Sequence, residues 1–197
     1  MTTLALLRHA PTEWNVGKRL QGRADIALSA VARATLATQA LPSEVAGFRA
    51  LVSPLQRTRQ TAQLLGLDPQ IEPRLIEMHW GRYEGRTIAE LRAEHGTAFT
   101  ANETRGLDFM PDSGESPRMV QQRLRPLLVE IASMGEPTLA ITHRGVIRAI
   151  YAMATGWDMT SDAPDKLDLY AMQVFTLARD GRPAVARLNL PLAVRAS

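Results

Sequence analysis

Cysteine is absent from all 197 residues. Its absence excludes disulfides, thiolate metal sites and a thiol nucleophile, and leaves the redox compartment unmarked. No apolar run reaches the length of a membrane-spanning helix. The opening stretch, MTTLALLRHA, has neither a basic leading region nor a long apolar core. It reads as a first strand rather than a leader, and the cytoplasm is the expected location, with no membrane partner. Aromatic residues are scarce at 5%, and lysine occurs only at Lys18 and Lys166. The net charge of +3 therefore rests almost wholly on arginine, scattered without a basic block or interleaved aromatics. A nucleic-acid surface has little to build on here, and small anionic ligands suit the composition better. Repeats and low-complexity segments are also missing. Residues 1–197 read as one domain, long enough to bury a sizeable core.

What is present alternates between strand and helix. Thr3–Leu7 is a short apolar strand, and Ser29 caps a helix running to about Ala40. Ala50–Val52 reads as a buried strand. Ser53-Pro54 then opens a helix to about Leu65, with Ser53 as N-cap, Pro54 at the first position and Gly66 at the end. Ser116-Pro117 repeats that signal, and Val120, Leu124, Leu127, Leu128 and Ile131 follow at helical spacing. Pro126 inside the pattern predicts a kink or break. Thr138–Thr142 is another strand and Val146–Thr155 another helix. Ala171–Leu177 and Ala184–Leu190 flank a hairpin turn at residues 179–182. Residues 97–115 look irregular and read as a small cap or lid. The alternation argues for an α/β fold, and the final hairpin makes the sheet mixed rather than fully parallel.

The chemistry-bearing residues fall at element boundaries. His9 follows a strand, Arg57 lies in the first turn of a helix after a strand, and His143 sits between a strand and a helix. Ligands of open α/β sheets bind outside the carboxyl ends of strands. If these strands are parallel neighbours, the three residues converge on one rim. Helix starts near Ser53 and Gly145 would add N–H groups suited to an anion. Taken singly, a histidine near a strand end is usually a satisfied polar residue, an arginine at a helix start is solvated, and Glu77 is a surface charge. Taken together, His9, His143, Arg8, Arg57 and Glu77 are the parts needed to move a phosphoryl group through a histidine. His79, two residues after Glu77, reads either as a substrate contact or proton donor or as a loop histidine with no role, and His95, before Gly96, as a cap-region residue. A zinc site from His9, His79, His143 and Glu77 lacks any H-x-x-x-H pairing. Neither metal nor cofactor is expected.

The motifs, in order, resemble the histidine phosphatase superfamily, phosphoglycerate-mutase-like branch. Arg8-His9-Ala10 resembles its Arg-His-Gly signature, extended by Thr12, Trp14 and Asn15. The stretch from Arg19 to Asp25, followed by Leu28-Ser29, resembles the segment that usually comes next. Leu75 to Gly85 resembles the loop with the family's acidic residue, Gly114-Glu115-Ser116 another family stretch, and His143 with Gly145 the second histidine motif. The resemblance spans Leu6 to about Arg148. RLQGRAD and the short chain look most like the α-ribazole-phosphatase-like group.

The resemblance implies a three-layer α/β/α sandwich around a mostly parallel mixed sheet. It implies His9 as nucleophile, Arg8 and Arg57 gripping phosphate oxygens, His143 completing the pocket and Glu77 as proton donor and acceptor. Asn15 and Gln21 are implied as polar contacts to substrate. The implied activity is metal-independent hydrolysis of a small soluble phosphate ester. A cofactor-dependent-type phosphoglycerate mutase and a non-catalytic phosphate-binding module are the alternatives, and a homodimer is allowed. Three positions depart from the family pattern: Ala10 and Ala32 replace glycines, and Arg144 stands where a small residue is usual, either adding charge near the pocket or, the favoured reading, pointing to solvent.

Overall fold

The computed structural model of the chain describes residues 1–195. The single-domain expectation over 1–197 includes residues 196 and 197, which lie outside those described. In chain order, β1 (Thr2–Arg8), α1 (Glu13–Val16), α2 (Ala30–Ala37), β2 (Gln39–Ala40), β3 (Arg49–Val52), α3 (Gln56–Leu64) and β4 (Gln70–Ile71) form the first part. The second comprises α4 (Ile88–Glu103), α5 (Pro117–Met134), β5 (Thr138–Thr142), α6 (Arg144–Thr155), β6 (Met172–Leu177), β7 (Pro183–Leu190) and β8 (Ala193–Val194). The main sheet has the order β4-β3-β5-β1-β6-β7. Its first four strands are parallel, β6 pairs antiparallel with β1, and β7 pairs antiparallel with β6.

The unbroken apolar run in β1 follows from coverage on both faces. Leu4 and Leu6 point into one core with residues of α5 and α6, such as Leu124, Leu128, Ile147 and Ile150. Ala5 and Leu7 point into a second core with Leu36 of α2 and Ala62 of α3. Side chains alternate across a strand, so a strand buried on both faces has no room for a polar alternate. The expected three-layer sandwich with a mostly parallel mixed sheet is what the chain forms.

Four local expectations change. The helix after Ser29 stops at Ala37, because Gln39–Ala40 pairs with Ala193–Val194 as a separate ribbon. Helix α3 begins at Gln56 with Leu55 as N-cap, not with Ser53, whose hydroxyl goes to His143 instead. Pro126 leaves α5 unbroken over 18 residues. It sits on the exposed face, where water can serve the carbonyl that loses its partner. Residues 97–115 are largely regular: α4 runs through Glu103, interrupted only at Gly96, and a 3-10 turn follows at Gly106–Asp108.

Candidate active site

The register of three parallel strands builds the site. Arg8 of β1 pairs with Thr142 of β5, and Val52 of β3 pairs with Ile141. One step past these pairs, His9 N–H donates to Thr142 O (3.0 Å) and Ser53 N–H to Ile141 O (3.1 Å). His9, Ser53 and His143 therefore leave the sheet side by side. The two imidazole centroids are 5.3 Å apart. Helix α3 starts three residues after Ser53 and delivers Arg57 to the same rim, fully buried.

Glu77 arrives from a loop tethered at several points. Thr142 Oγ1 donates to Leu75 O (2.8 Å). The Arg123 guanidinium of α5 donates to Ile76 O (2.7 Å) and to Arg74 O. Arg123 is itself fixed by Glu115 (2.8 Å). The Glu77 carboxylate then accepts from Met78 N–H (2.8 Å) and from Gly145 N–H (3.0 Å) in the first turn of α6. A Cβ at position 145 would meet that carboxylate and push it aside, so glycine leaves the carboxylate its place.

His9 Nδ1 donates to Ala10 O (2.7 Å), which fixes the tautomer and leaves Nε2 with a free lone pair. Burial, then the charges of Arg8 and Arg57, push the His9 pKa well below its ordinary value. Burial, then Arg57, His9 and Arg8, does the same to His143. Both rings are neutral at neutral pH. The backbone of Ala10 accommodates its methyl, being outside the left-handed region. Its N–H donates to Thr61 Oγ1 (3.0 Å).

Three buried side-chain atoms lack a hydrogen-bond partner among the described residues: Arg8 Nε, Arg57 Nε and His143 Nδ1. His143 Nε2 is engaged by Ser53 Oγ (2.7 Å). The other end of the Arg57 fork donates to Gly22 O and Ala24 O, both at 2.7 Å. Unsatisfied buried donors cost about 1–3 kcal/mol each, and more when charged. With Ser53 Oγ–H donating to His143 Nε2, the ring proton sits on Nδ1, and three donors on one rim then face a place suited to acceptor oxygens.

Of the expected polar contacts, Gln21 is buried, with its Oε1 accepting from Thr12 Oγ1 (2.9 Å). Asn15 lines the cleft, but its Oδ1 is taken by Thr12 N–H (3.0 Å) in a capping box. Only its amide N–H groups remain for a ligand. His79 stands apart, half-exposed, with Nε2 3.7 Å from Glu84. Among the described residues, no group of three or more His, Asp or Glu side chains is placed to hold a metal. The cleft over the rim has a volume of about 430 Å³, with an apolar wall from Leu20, Trp80, Phe109 and Met159.

The profile of the histidine phosphatase superfamily (branch 1) matches residues 4–191. The chain belongs to that superfamily. Among curated relatives of this histidine phosphatase is glucosyl-3-phosphoglycerate phosphatase of Mycobacterium tuberculosis, 36% identical over 168 residues, 76% of this chain and 73% of the relative. Another is the metal-independent phosphoserine phosphatase of Arabidopsis thaliana, 30% identical over 79% of this chain and 69% of the relative. A solved mycobacterial glucosyl-3-phosphoglycerate phosphatase with VO3 superposes with a TM-score of 0.78 at 27% identity. That match covers 98% of this chain and all of the other. By family and fold the protein is a phosphatase-class hydrolase.

Several supporting residues of this phosphatase escape a linear reading. Ser53 carries a helix-start signal that masks its contact with His143. Glu84 accepts from the N–H groups of Arg23 (2.8 Å) and Ala24 (3.0 Å) and so holds the loop that Arg57 grips. Gly22, in that loop at φ 52°, has no space for a side chain against Glu84. The Glu115–Arg123 pair joins residues eight apart, yet its effect is on a loop almost fifty residues away. Only the glycine offers a local signal.

Proposed function

We propose that the protein hydrolyses a small soluble phosphate monoester without a metal, through a phosphohistidine on His9. The observation that carries this reading is the trio of unpartnered buried nitrogens on Arg8, Arg57 and His143 around a neutral His9. Nε2 of His9 attacks phosphorus while the ester P–O bond breaks, and Glu77 gives its proton to the departing alkoxide. Water then attacks the phosphohistidine, Glu77 takes back a proton, and inorganic phosphate leaves. Arg8 and Arg57 hold the non-bridging oxygens, where guanidinium can donate two parallel bonds. Charge spreads over these oxygens in the transition state, so fixed donors there act on the barrier itself. His143 donates from Nδ1 and gains a proton as the dianion enters. Gln21 and the Asn15 amide contact the substrate from the side, and the 97–115 segment covers the cleft as a lid.

The substrate class is supported by relatives named for glucosyl-3-phosphoglycerate and phosphoserine, both small esters. RLQGRAD supports an α-ribazole-phosphatase-like subgroup as a finer reading within the same chemistry. A second reading is mutase activity, because a phosphoglycerate mutase-like protein of Arabidopsis thaliana is 31% identical over 77% of this chain.

The test is hydrolysis of para-nitrophenyl phosphate with excess EDTA, by the natural protein and by His9→Ala. Activity that survives EDTA and falls by about 10⁴-fold or more in the variant is expected for a lost nucleophile. Loss with EDTA, or turnover by His9→Ala at the natural rate, overturns the proposal. Transfer between the hydroxyls of a phosphoglycerate, outpacing hydrolysis, would establish the mutase instead.

A further inference from the structure

The cleft holds more arginine than one phosphate needs. Away from the rim, Arg19 donates to Gly85 O (2.6 Å) and Arg92 is clamped on Glu103 by two bonds of 2.9 Å. Arg144 and Arg148 differ. They stand one turn apart on α6, both line the cleft, and neither has an ion pair or hydrogen bond among the described residues. Arg148 is not free to swing into water: its guanidinium lies 4.7 Å from the centre of the Trp157 ring. Burial, then the charge of Arg144, lowers its pKa to about 10. The same two residues border an adjoining cavity that also carries Asp162, Asp165 and Lys166. Asp165 is engaged by Tyr151 Oη (2.7 Å), and neither aspartate pairs with either guanidinium. Like charges one turn apart repel. Here a neighbouring acid exists and yet is not used to relieve them.

We propose that Arg144 and Arg148 form a second anion subsite on the α6 wall of the cleft, so that the substrate carries a carboxylate or a second phosphate besides the phosphoryl group presented to His9. The inference rests on the phosphatase reading for the place of the reacting phosphate, while the arginine pair itself stands on its own geometry. Arg148, packed on Trp157, gives the subsite a fixed direction. Arg144, exposed at the rim, closes on the anion from outside. A cleft of about 430 Å³ has room for a small ester with both groups.

The experiment compares matched esters. 3-Phosphoglycerate and glycerol 3-phosphate differ by a carboxylate; fructose 1,6-bisphosphate and fructose 6-phosphate differ by a phosphate. The ratio of kcat/KM within each pair is measured for the natural protein, Arg144→Ala and Arg148→Met, the methionine keeping the packing on Trp157. Binding of the same pairs to His9→Ala, with and without each arginine change, is followed by calorimetry, and thermal melts check the fold. The natural protein should prefer the ester with the extra anion in one pair. Each variant should lower that ratio by roughly 10- to 100-fold, the scale of a charge-assisted contact. The pair that responds identifies the anion as carboxylate or phosphate. Ratios that move less than about twofold in both variants, in both turnover and binding, overturn the subsite. Ratios that respond in binding, with no turnover of any ester, keep the subsite and instead refute the phosphatase reading.

Discussion

The rim of the sheet and the outer surface around the cleft use arginine in opposite ways. On that surface, Arg86 is paired with Glu94 (2.5 Å), Arg92 with Glu103 (2.9 Å) and Arg118 with Asp108 (2.6 Å), all at least partly exposed. On the rim, Arg57 is buried and Arg8 half-buried, and among the described residues they take backbone carbonyls or nothing as partners, with Glu77 near but held by N–H groups of Met78 and Gly145. A surface pair gains little because water screens it and two long side chains lose freedom. A buried cation without a salt bridge costs stability, and keeps its charge for an incoming anion. What separates an unpaired arginine from a paired one in this protein is where the carboxylates were put.

Arg57→Lys strikes that contrast hardest. Lysine keeps the charge but loses the fork, and one compact head cannot serve Gly22 O, Ala24 O and a phosphate oxygen together. A fall in kcat/KM of at least about 100-fold is expected, with roughly 1–3 kcal/mol of stability lost for a stranded buried carbonyl. Steady-state kinetics and a urea titration measure the two; near-natural kinetics would erase the distinction between rim and surface.

The pH dependence of stability sharpens it. His9 and His143 have pKa values pushed well below the ordinary histidine range, so the folded protein stays unprotonated at both while the unfolded chain binds protons below about pH 6.5. More protons on the unfolded state means that stability falls as pH falls. Each ring contributes a slope of about 1.4 kcal/mol per pH unit once below that range. The carboxylates with lowered pKa, such as Glu72 held by Arg74, act only as pH falls through the ordinary carboxylate range, leaving a window between about pH 6 and 5 for the histidines. Denaturant titrations of the ligand-free protein across that window should show the slope, and His143→Gln should reduce it. Stability that is flat across the window would mean that the rim is solvated rather than dry.

Arg86→Ala is the smallest expected change. Its partners Glu90 and Glu94 are exposed and screened. A melting point within about 1 °C of the natural protein, and kcat/KM within about twofold, are expected. A loss as large as that of Arg57→Lys would show that the paired surface arginines carry function too.

The boundary between sequence and tertiary structure follows the range of the forces involved. The strand Thr138–Thr142, the capped start at Ser116-Pro117 and the hairpin at residues 179–182 were legible because apolar alternation, capping hydroxyls and turn residues act within a few positions. The order of Arg8-His9, Arg57, Glu77 and His143 along the chain, Glu77 in a loop and the others at element boundaries, was legible for the same reason. Illegible were the contacts that cross the sheet. Ser53 looked like a cap until β3 and β5 paired and brought it against His143, ninety residues away. Pro126 looked like a break until the folded core left it on the wet face of α5. Glu84 and Arg123 look like ordinary surface charges, and only packing turns them toward backbone groups of distant loops. The sequence alone determined which chemical groups exist and which local elements carry them. Tertiary structure decided which donors were left without partners, because hydrogen-bond satisfaction in a dry interior depends on neighbours that the chain acquires only on folding.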